Sequence, residues 1–166
     1  MAKLKSMRSN AAPNLLQEEK NQLLISAENS ARKRMHKIMH KRGSFENAVF
    51  NVMLAESYMT PHLHPGPEKI EYIHLVEGRI GIIYFNDNGN VEHTCTLDQS
   101  TKTLEVVPAF TWHTYVILEK YAVTYETMNG VYDPLTWKRL APWATLENSP
   151  DFEKQRDTYL SLFKDN

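Results

Sequence analysis

The chain carries one cysteine, Cys95, so no internal disulfide can form, and nothing in it calls for an oxidising compartment. No apolar run approaches the roughly 20 residues that a membrane-crossing helix needs. The opening stretch, MAKLKSMRSNAAPNLLQEEK, has positive charges but no apolar segment of the secretory kind. No signal peptide and no membrane association are therefore expected, and the cytoplasm is the default location. Neither sign of charge dominates: 19 Lys and Arg stand against 20 Asp and Glu, a formal net charge of -1. The one basic cluster, ARKRMHKIMHKR over 31–42, is local and reads as a basic helix end running into a strand. Nucleic-acid binding asks for a broad basic face, which is missing, so no nucleic-acid partner is expected. Internal repeats, low-complexity tracts and interdomain linkers are also missing.

What is present fits one globular domain. The chain has 166 residues, 42% hydrophobic and 23% charged, enough to build a real core. Residues 1–13 are polar and read as a frayed start. Residues 1–30 as a whole are expected to be a tail and a helix, with Asn14 as cap and Leu16, Leu23, Leu24 and Ala27 on one side. From about residue 30 to 127 the period becomes two, within a β region expected over 31–146. Strands are expected at 47–56, 70–78, 102–108, 113–118 and 121–128, with a hairpin over 79–97 that turns at Asn86-Asp87-Asn88-Gly89-Asn90. Short strands with brief, turn-rich connections predict a mainly β fold, an antiparallel sandwich or barrel. Residues 147–166 return to helix, with Ser149 as cap, Pro150 at the first helical position, and Phe152, Tyr159, Leu160 and Phe163 as its docking stripe.

Strand parity sorts the seven histidines. His62 and His64 are two residues apart in PHLHP, so their side chains leave the same face with backbones roughly 7 Å apart. Pro61 and Pro65 favour extended backbone around them. Glu71 opens the next strand on the face of Ile73 and Leu75, where a carboxylate is costly unless paired or metal-bound. His74 has the opposite parity and belongs outside with Tyr72 and Val76. His113 follows a proline and a turn and enters a strand on the face of Tyr115 and Ile117. Together His62, His64, Glu71 and His113 form a candidate set of metal ligands. His36 and His40 share a face whether MHKIMH is extended or helical, and can line a pocket. His93 and Cys95 read as packing or surface residues, and Trp112 as a packing residue.

These residues resemble the cupin superfamily. Its first motif, two histidines one residue apart, a glutamate and then a glycine, is matched by His62, His64, Glu71 and Gly78; its second, a proline, a turn and a histidine, by Pro108 and His113. From about Ser30 to Ala144, the stretches SARKRMHKIMH, TPHLHPGPEKIEYIHLVEGRIGIIYFNDNG, VVPAFTWHTYVILE, TYETMNGVYDP and KRLAPWA resemble the WbuC family of cupin-fold metalloproteins. The resemblance implies a small cupin-type antiparallel β-barrel (jelly-roll) with the metal inside one end, flanked here by the N- and C-terminal helices. It departs in three places. The gap from His64 to Glu71 is longer than usual, which makes Glu68 a rival ligand, although Glu71 keeps the spacing to Gly78 and the inward parity. Phe110 stands where cupins often have the turn glycine. The asparagine often found after the second-motif histidine is missing.

Three imidazoles and a carboxylate suit one divalent transition metal, Fe, Mn, Zn, Ni or Co, and the lack of a thiolate argues against a structural zinc cluster. Near such an ion, Glu126 is a candidate base or partner of a ligating histidine, Tyr115 a candidate proton donor, and Arg34 a candidate binder of an anionic group. The expected activity is metal-assisted isomerisation or oxygenation of a small polar metabolite. The alternative is non-catalytic, metal-dependent binding of a small ligand. The WbuC resemblance implies that the ligand is sugar-related. Open strand edges lead us to expect a homodimer.

Overall fold

The computed structural model describes residues 12–164, so most of the frayed start expected for residues 1–13 lies outside the described residues. Helix α1 spans Gln17–Glu28. Leu16, rather than Asn14, takes the cap position, and its backbone N–H donates to Glu19 Oε2 at 3.4 Å. The side chain three residues into the helix thus does the capping that a polar cap residue would have done.

Ten strands follow: β1 Arg34–Ile38, β2 Glu46–Leu54, β3 His62–Leu63, β4 Glu71–Glu77, β5 Arg79–Phe85, β6 Val91–Asp98, β7 Leu104–Val107, β8 Trp112–Ile117, β9 Tyr121–Asn129 and β10 Arg139–Leu140. Helix α2 spans Phe152–Ser161. One antiparallel sheet has the order β1-β2-β9-β4-β7 and the other β10-β3-β8-β5-β6. The stretch MHKIMH, open between helix and strand, is extended at its start: β1 pairs with β2 from Arg34↔Met53 to Ile38↔Val49. Strand β10 has no counterpart in the sequence reading.

The two sheets enclose an apolar core that includes Ile73, Leu75, Ile80, Ile82, Leu97 and Ile117. Along β8 the inward residues run His113, Tyr115, Ile117, and along β4 they run Glu71, Ile73, Leu75, so both strands pass from a polar end to an apolar floor. Each helix covers the outside of a sheet. Leu23 and Leu24 of α1 pack on Phe50, Val52 and Val123, which is why β2 is apolar on both faces instead of alternating. Phe152, Tyr159, Leu160 and Phe163 pack with Ile83, Phe85, Trp112 and Val116 of the other sheet, the stripe expected of them. The cap of α2 is Asp151, not Ser149. The Ser149 hydroxyl donates instead to the Leu146 carbonyl at 2.8 Å, inside a turn in which Asn148 takes φ 64°.

One glycine is fixed by this docking. A Cβ on Gly81 would come within 2.6 Å of the Phe163 ring carbons Cε1 and Cε2. Alanine normally strengthens a strand over glycine, yet Gly81→Ala is expected to lower stability by about 1–3 kcal/mol, because the ring must be pushed off the sheet. Urea unfolding checks this, and the double variant with Phe163→Leu should lose less than the sum of the single losses.

Candidate metal centre

His62 opens β3 and His64 follows it directly. In the sheet, His62 stands opposite His113 of β8. The short strand is held on both sides: the Ala141 amide donates to the Pro61 carbonyl (2.8 Å) and the Phe110 amide to the His64 carbonyl (3.0 Å). Phe110 makes its bond from the left-handed region, φ 62°, so the corner where cupins often carry glycine keeps a glycine-like backbone with a phenylalanine in it. Its side chain is 57% exposed and so has room to stand clear.

The three imidazoles meet. Ring centroids are 5.1 Å apart for His62 and His64, 4.6 Å for His62 and His113, and 5.8 Å for His64 and His113. One ring nitrogen from each lies within 4.8 Å of the others, and all three residues are buried, so the cluster can hold a metal ion.

Whether these nitrogens are available as ligands is answered by the other side of each ring. His62 Nδ1 lies 3.0 Å from the Thr60 carbonyl, His64 Nδ1 2.9 Å from the Trp137 carbonyl, and His113 Nδ1 2.9 Å from the Thr111 carbonyl. A carbonyl oxygen can only accept, so each Nδ1 carries a proton, and Nε2 is the atom that each ring turns to the cluster as a ligand once it holds no proton there. Three separate backbone contacts therefore fix one tautomer three times. His64 Nε2 is buried and has no hydrogen-bond partner, as a nitrogen meant for a cation would be. The donor set fits a divalent ion.

Glu71 closes the cluster from the facing sheet. Its Oε2 is 3.0 Å from His113 Nε2 and 3.6 Å from His64 Nε2. Burial opposes its ionisation, but the contacts with His113 and His64 outweigh burial and hold its carboxyl well below the usual range. Burial pushes His62 well below the ordinary histidine value, with the neighbouring His113 adding to it. For His64 burial is outweighed by Glu71 and the Trp137 carbonyl, and its value is raised. Glu68, the rival at shorter spacing, is exposed and lies beside Gly66, away from the imidazoles.

The other histidines stand apart. His74 faces outward near Tyr125. His93 is exposed and stacks on Tyr84 at 4.3 Å. Cys95 is half-buried against the core and touches Glu105. Trp112 packs, and its Nε1 donates to Asp87 at 2.9 Å.

A cavity of about 490 Å³ adjoins the cluster, lined among others by His62, His64, Glu71, Tyr115, Glu126 and Lys138, with His36 and His40 in its wall. Glu126 is buried on β9; its Oε1 accepts from Tyr115 (2.9 Å) and Thr124 (2.8 Å). Burial first, then the charge of Glu71, raises its carboxyl to about 7. Burial, reinforced by Glu126, raises the Tyr115 phenol well above its usual value. Arg34 lines the cavity with a guanidinium already engaged: Nη2 meets Glu147 Oε1 at 2.5 Å and Nη1 donates to the Tyr58 carbonyl at 2.9 Å. Trp137, Lys138 and Thr124 were not singled out from sequence. Trp137 acts through its backbone carbonyl, which leaves no mark on residue type. Lys138 stands in KRLAPWA, a stretch that the WbuC resemblance covers.

Solved structures share this architecture. An X-ray structure of a Shewanella oneidensis protein superposes with a TM-score of 0.52 at 8% identity, covering 63% of this chain and 72% of that one. The capsular polysaccharide assembling protein CapF from Staphylococcus aureus gives 0.55 at 17% identity, over 63% of this chain and 29% of CapF. A Klebsiella pneumoniae protein with a double-stranded β-helix domain gives 0.50 at 9% identity, covering 65% and 84%. The chain thus spans under a third of CapF but most of the other two. At these identities the likeness is one of fold: a cupin-type double-stranded β-helix. Among the described residues, no helix is long and apolar enough to cross a membrane. No curated protein matches the sequence. The family described as a domain of unknown function, DUF6016, matches residues 15–97, half of the chain, and the protein belongs to that family.

Proposed function

We propose that this protein is a metal-dependent enzyme of the cupin type, akin to the WbuC proteins, which isomerises a small polar, sugar-related metabolite by moving protons. His62, His64, His113 and Glu71 would hold one divalent ion of Fe, Mn, Zn, Ni or Co. The observation that carries this is the set of three Nδ1–carbonyl contacts, which turns three buried Nε2 lone pairs toward one point beside a carboxylate. When bound, such an ion supplies Lewis acidity toward a chelating oxygen.

The chain's own residues supply the rest. Glu126 holds a proton up to about pH 7, which lets it give or take one near neutrality. Two hydroxyls already point at its Oε1, so the proton of the neutral acid belongs on Oε2. Tyr115 and Thr124 thereby orient Glu126. A poised acid favours isomerisation over oxygenation. The apolar floor below the site keeps bulk water from that end. We further propose that the protein works in the cytoplasm and pairs as a homodimer through an open strand edge such as β1, where Ile38 is exposed.

Elemental analysis of protein purified without added metal tests the site. About one divalent ion per chain is expected, and essentially none in the His62→Ala, His64→Ala double variant. Equal metal in both would overturn the assignment. Incubating the loaded protein with sugar phosphates and hydroxy acids in deuterated water then tests the reaction. Solvent deuterium should enter a carbon position of one substrate, and Glu126→Gln should abolish that entry. Oxygen uptake without exchange would favour oxygenation, and tight binding without either would favour the non-catalytic alternative.

A further inference from the structure

The cations that line the cavity are not equally occupied. Arg32 Nε meets Glu147 Oε2 at 3.0 Å and Arg34 Nη2 meets Glu147 Oε1 at 2.5 Å, so both arginines are committed to one carboxylate. Of the acids in the wall, Glu71 is engaged by His113, and Glu126 accepts from Tyr115 and Thr124. Lys138 lines the same cavity and makes no hydrogen bond or ion pair among the described residues.

Its place is nevertheless fixed. The preceding residue, Trp137, gives its carbonyl to His64 Nδ1 at 2.9 Å. The following residue, Arg139, pairs with Leu63 in β10–β3. Lys69 Nζ donates to the Thr136 carbonyl at 2.8 Å. An ammonium is thus held beside the imidazole cluster by its neighbours, and Glu147, the carboxylate that acts on it most, is already paired with Arg32 and Arg34. Burial lowers its proton affinity, the usual sign of a cation partly withdrawn from water. A withdrawn charge without a partner is unfavourable, and an anion in the adjoining space would remove that cost. A divalent ion on the histidines would add to the positive surplus, because Glu71 offsets only part of its charge.

We infer that the cavity takes a small oxyanion, a carboxylate or phosphate, with the Lys138 ammonium as its charge partner. This rests on, and narrows, the metal-site reading by naming the charge of the metabolite. A cavity of about 490 Å³ suits a small molecule. Met35, Met59 and Met128 in its wall offer apolar contact to the uncharged part. Arg34, the anion binder expected from sequence, is here committed to Glu147.

Isothermal titration of the full chain with malonate and with inorganic phosphate tests this, with glycerol as neutral control, in metal-loaded and metal-stripped protein. At least one anion is expected to bind, and the tighter probe distinguishes carboxylate from phosphate. Lys138→Gln should weaken that probe about 10- to 100-fold, as losing a charge-assisted contact does, and Lys138→Arg should retain most of the affinity. Rising ionic strength should weaken binding to the wild type more than to Lys138→Gln. Equal affinity of wild type and Lys138→Gln, or no binding of either anion, overturns the inference. Metal content, measured separately on each protein, reports on the metal site alone: a chain without metal whose anion binding still depends on Lys138 would sink that reading and leave this one. Should Lys138→Gln fail to fold, wild-type affinity that ignores salt overturns the inference by itself.

Discussion

His113→Ala is expected to destabilise the metal-stripped protein by about 3 kcal/mol, the cost of leaving the buried Glu71 carboxylate without its nearest hydrogen-bond partner. The residue is 0% exposed and its Nε2 lies 3.0 Å from Glu71 Oε2. Without it the Glu71 carboxylate keeps only His64, at 3.6 Å. A domain of this size has a total stability of roughly 5–15 kcal/mol, so the loss would be a large part of the whole. Urea midpoints at constant slope measure it. The control is Glu71→Gln, which removes the charge. In the His113→Ala background it should recover part of the loss, with a coupling of at least about 1 kcal/mol across the double-mutant cycle. Unchanged stability in His113→Ala would mean that Glu71 does not depend on this imidazole. In the metal-loaded protein the same variant should lower metal affinity by more than about 100-fold, beyond the effect of removing an outer-shell partner.

That pair also marks how far the residues alone could lead. Parity placed His62, His64, Glu71 and His113 on inward faces and sent His74 outward, because the two-residue repeat of a strand is a property of the chain itself. The structure groups the three histidines, sets Glu71 against His113 and His64, and leaves His74 outside. Parity could not place what depends on backbone atoms. The carbonyls of Thr60, Thr111 and Trp137 fix the three tautomers, and any residue type carries a carbonyl. Strand β10, two residues long, is too short to have a period, yet its pairing with β3 brings Lys138 to the cavity. The helix caps were misplaced for a similar reason: Asn14 and Ser149 have capping side chains, but Glu19 and the turn at 146–149 meet those needs another way. Phe110 shows the converse. A residue type that argues against a left-handed corner adopts it because the Phe110 amide is needed at the His64 carbonyl.

Glu126 makes the second large prediction, one of sign as well as size. Its carboxyl has an ordinary value of 4.5 and is raised to about 7 in the fold, chiefly by burial. Below pH 4.5 the folded and unfolded chains both hold the proton. Between 4.5 and 7 the folded chain still holds it and the unfolded chain has lost it, so stability falls as pH rises through this window. The full drop is about 3 kcal/mol, complete somewhat above pH 7. His64 is raised too, and its contribution also falls as pH rises, so the wild-type curve alone does not isolate Glu126. The difference between wild type and Glu126→Gln does, since the amide oxygen can still accept from Tyr115 and Thr124 while the side chain no longer titrates. That difference, from urea unfolding of metal-stripped protein at pH 4.5 to 8, should favour wild type at the acid end and the variant at the alkaline end. A flat difference would mean that Glu126 titrates as an ordinary carboxyl and is not the poised acid proposed. Because the charge of Glu71 is the second cause of the shift, a divalent ion that neutralises Glu71 should relax it. Metal loading is therefore expected to shrink the pH dependence of the difference between wild type and Glu126→Gln, a coupling that two unrelated carboxyls would not display.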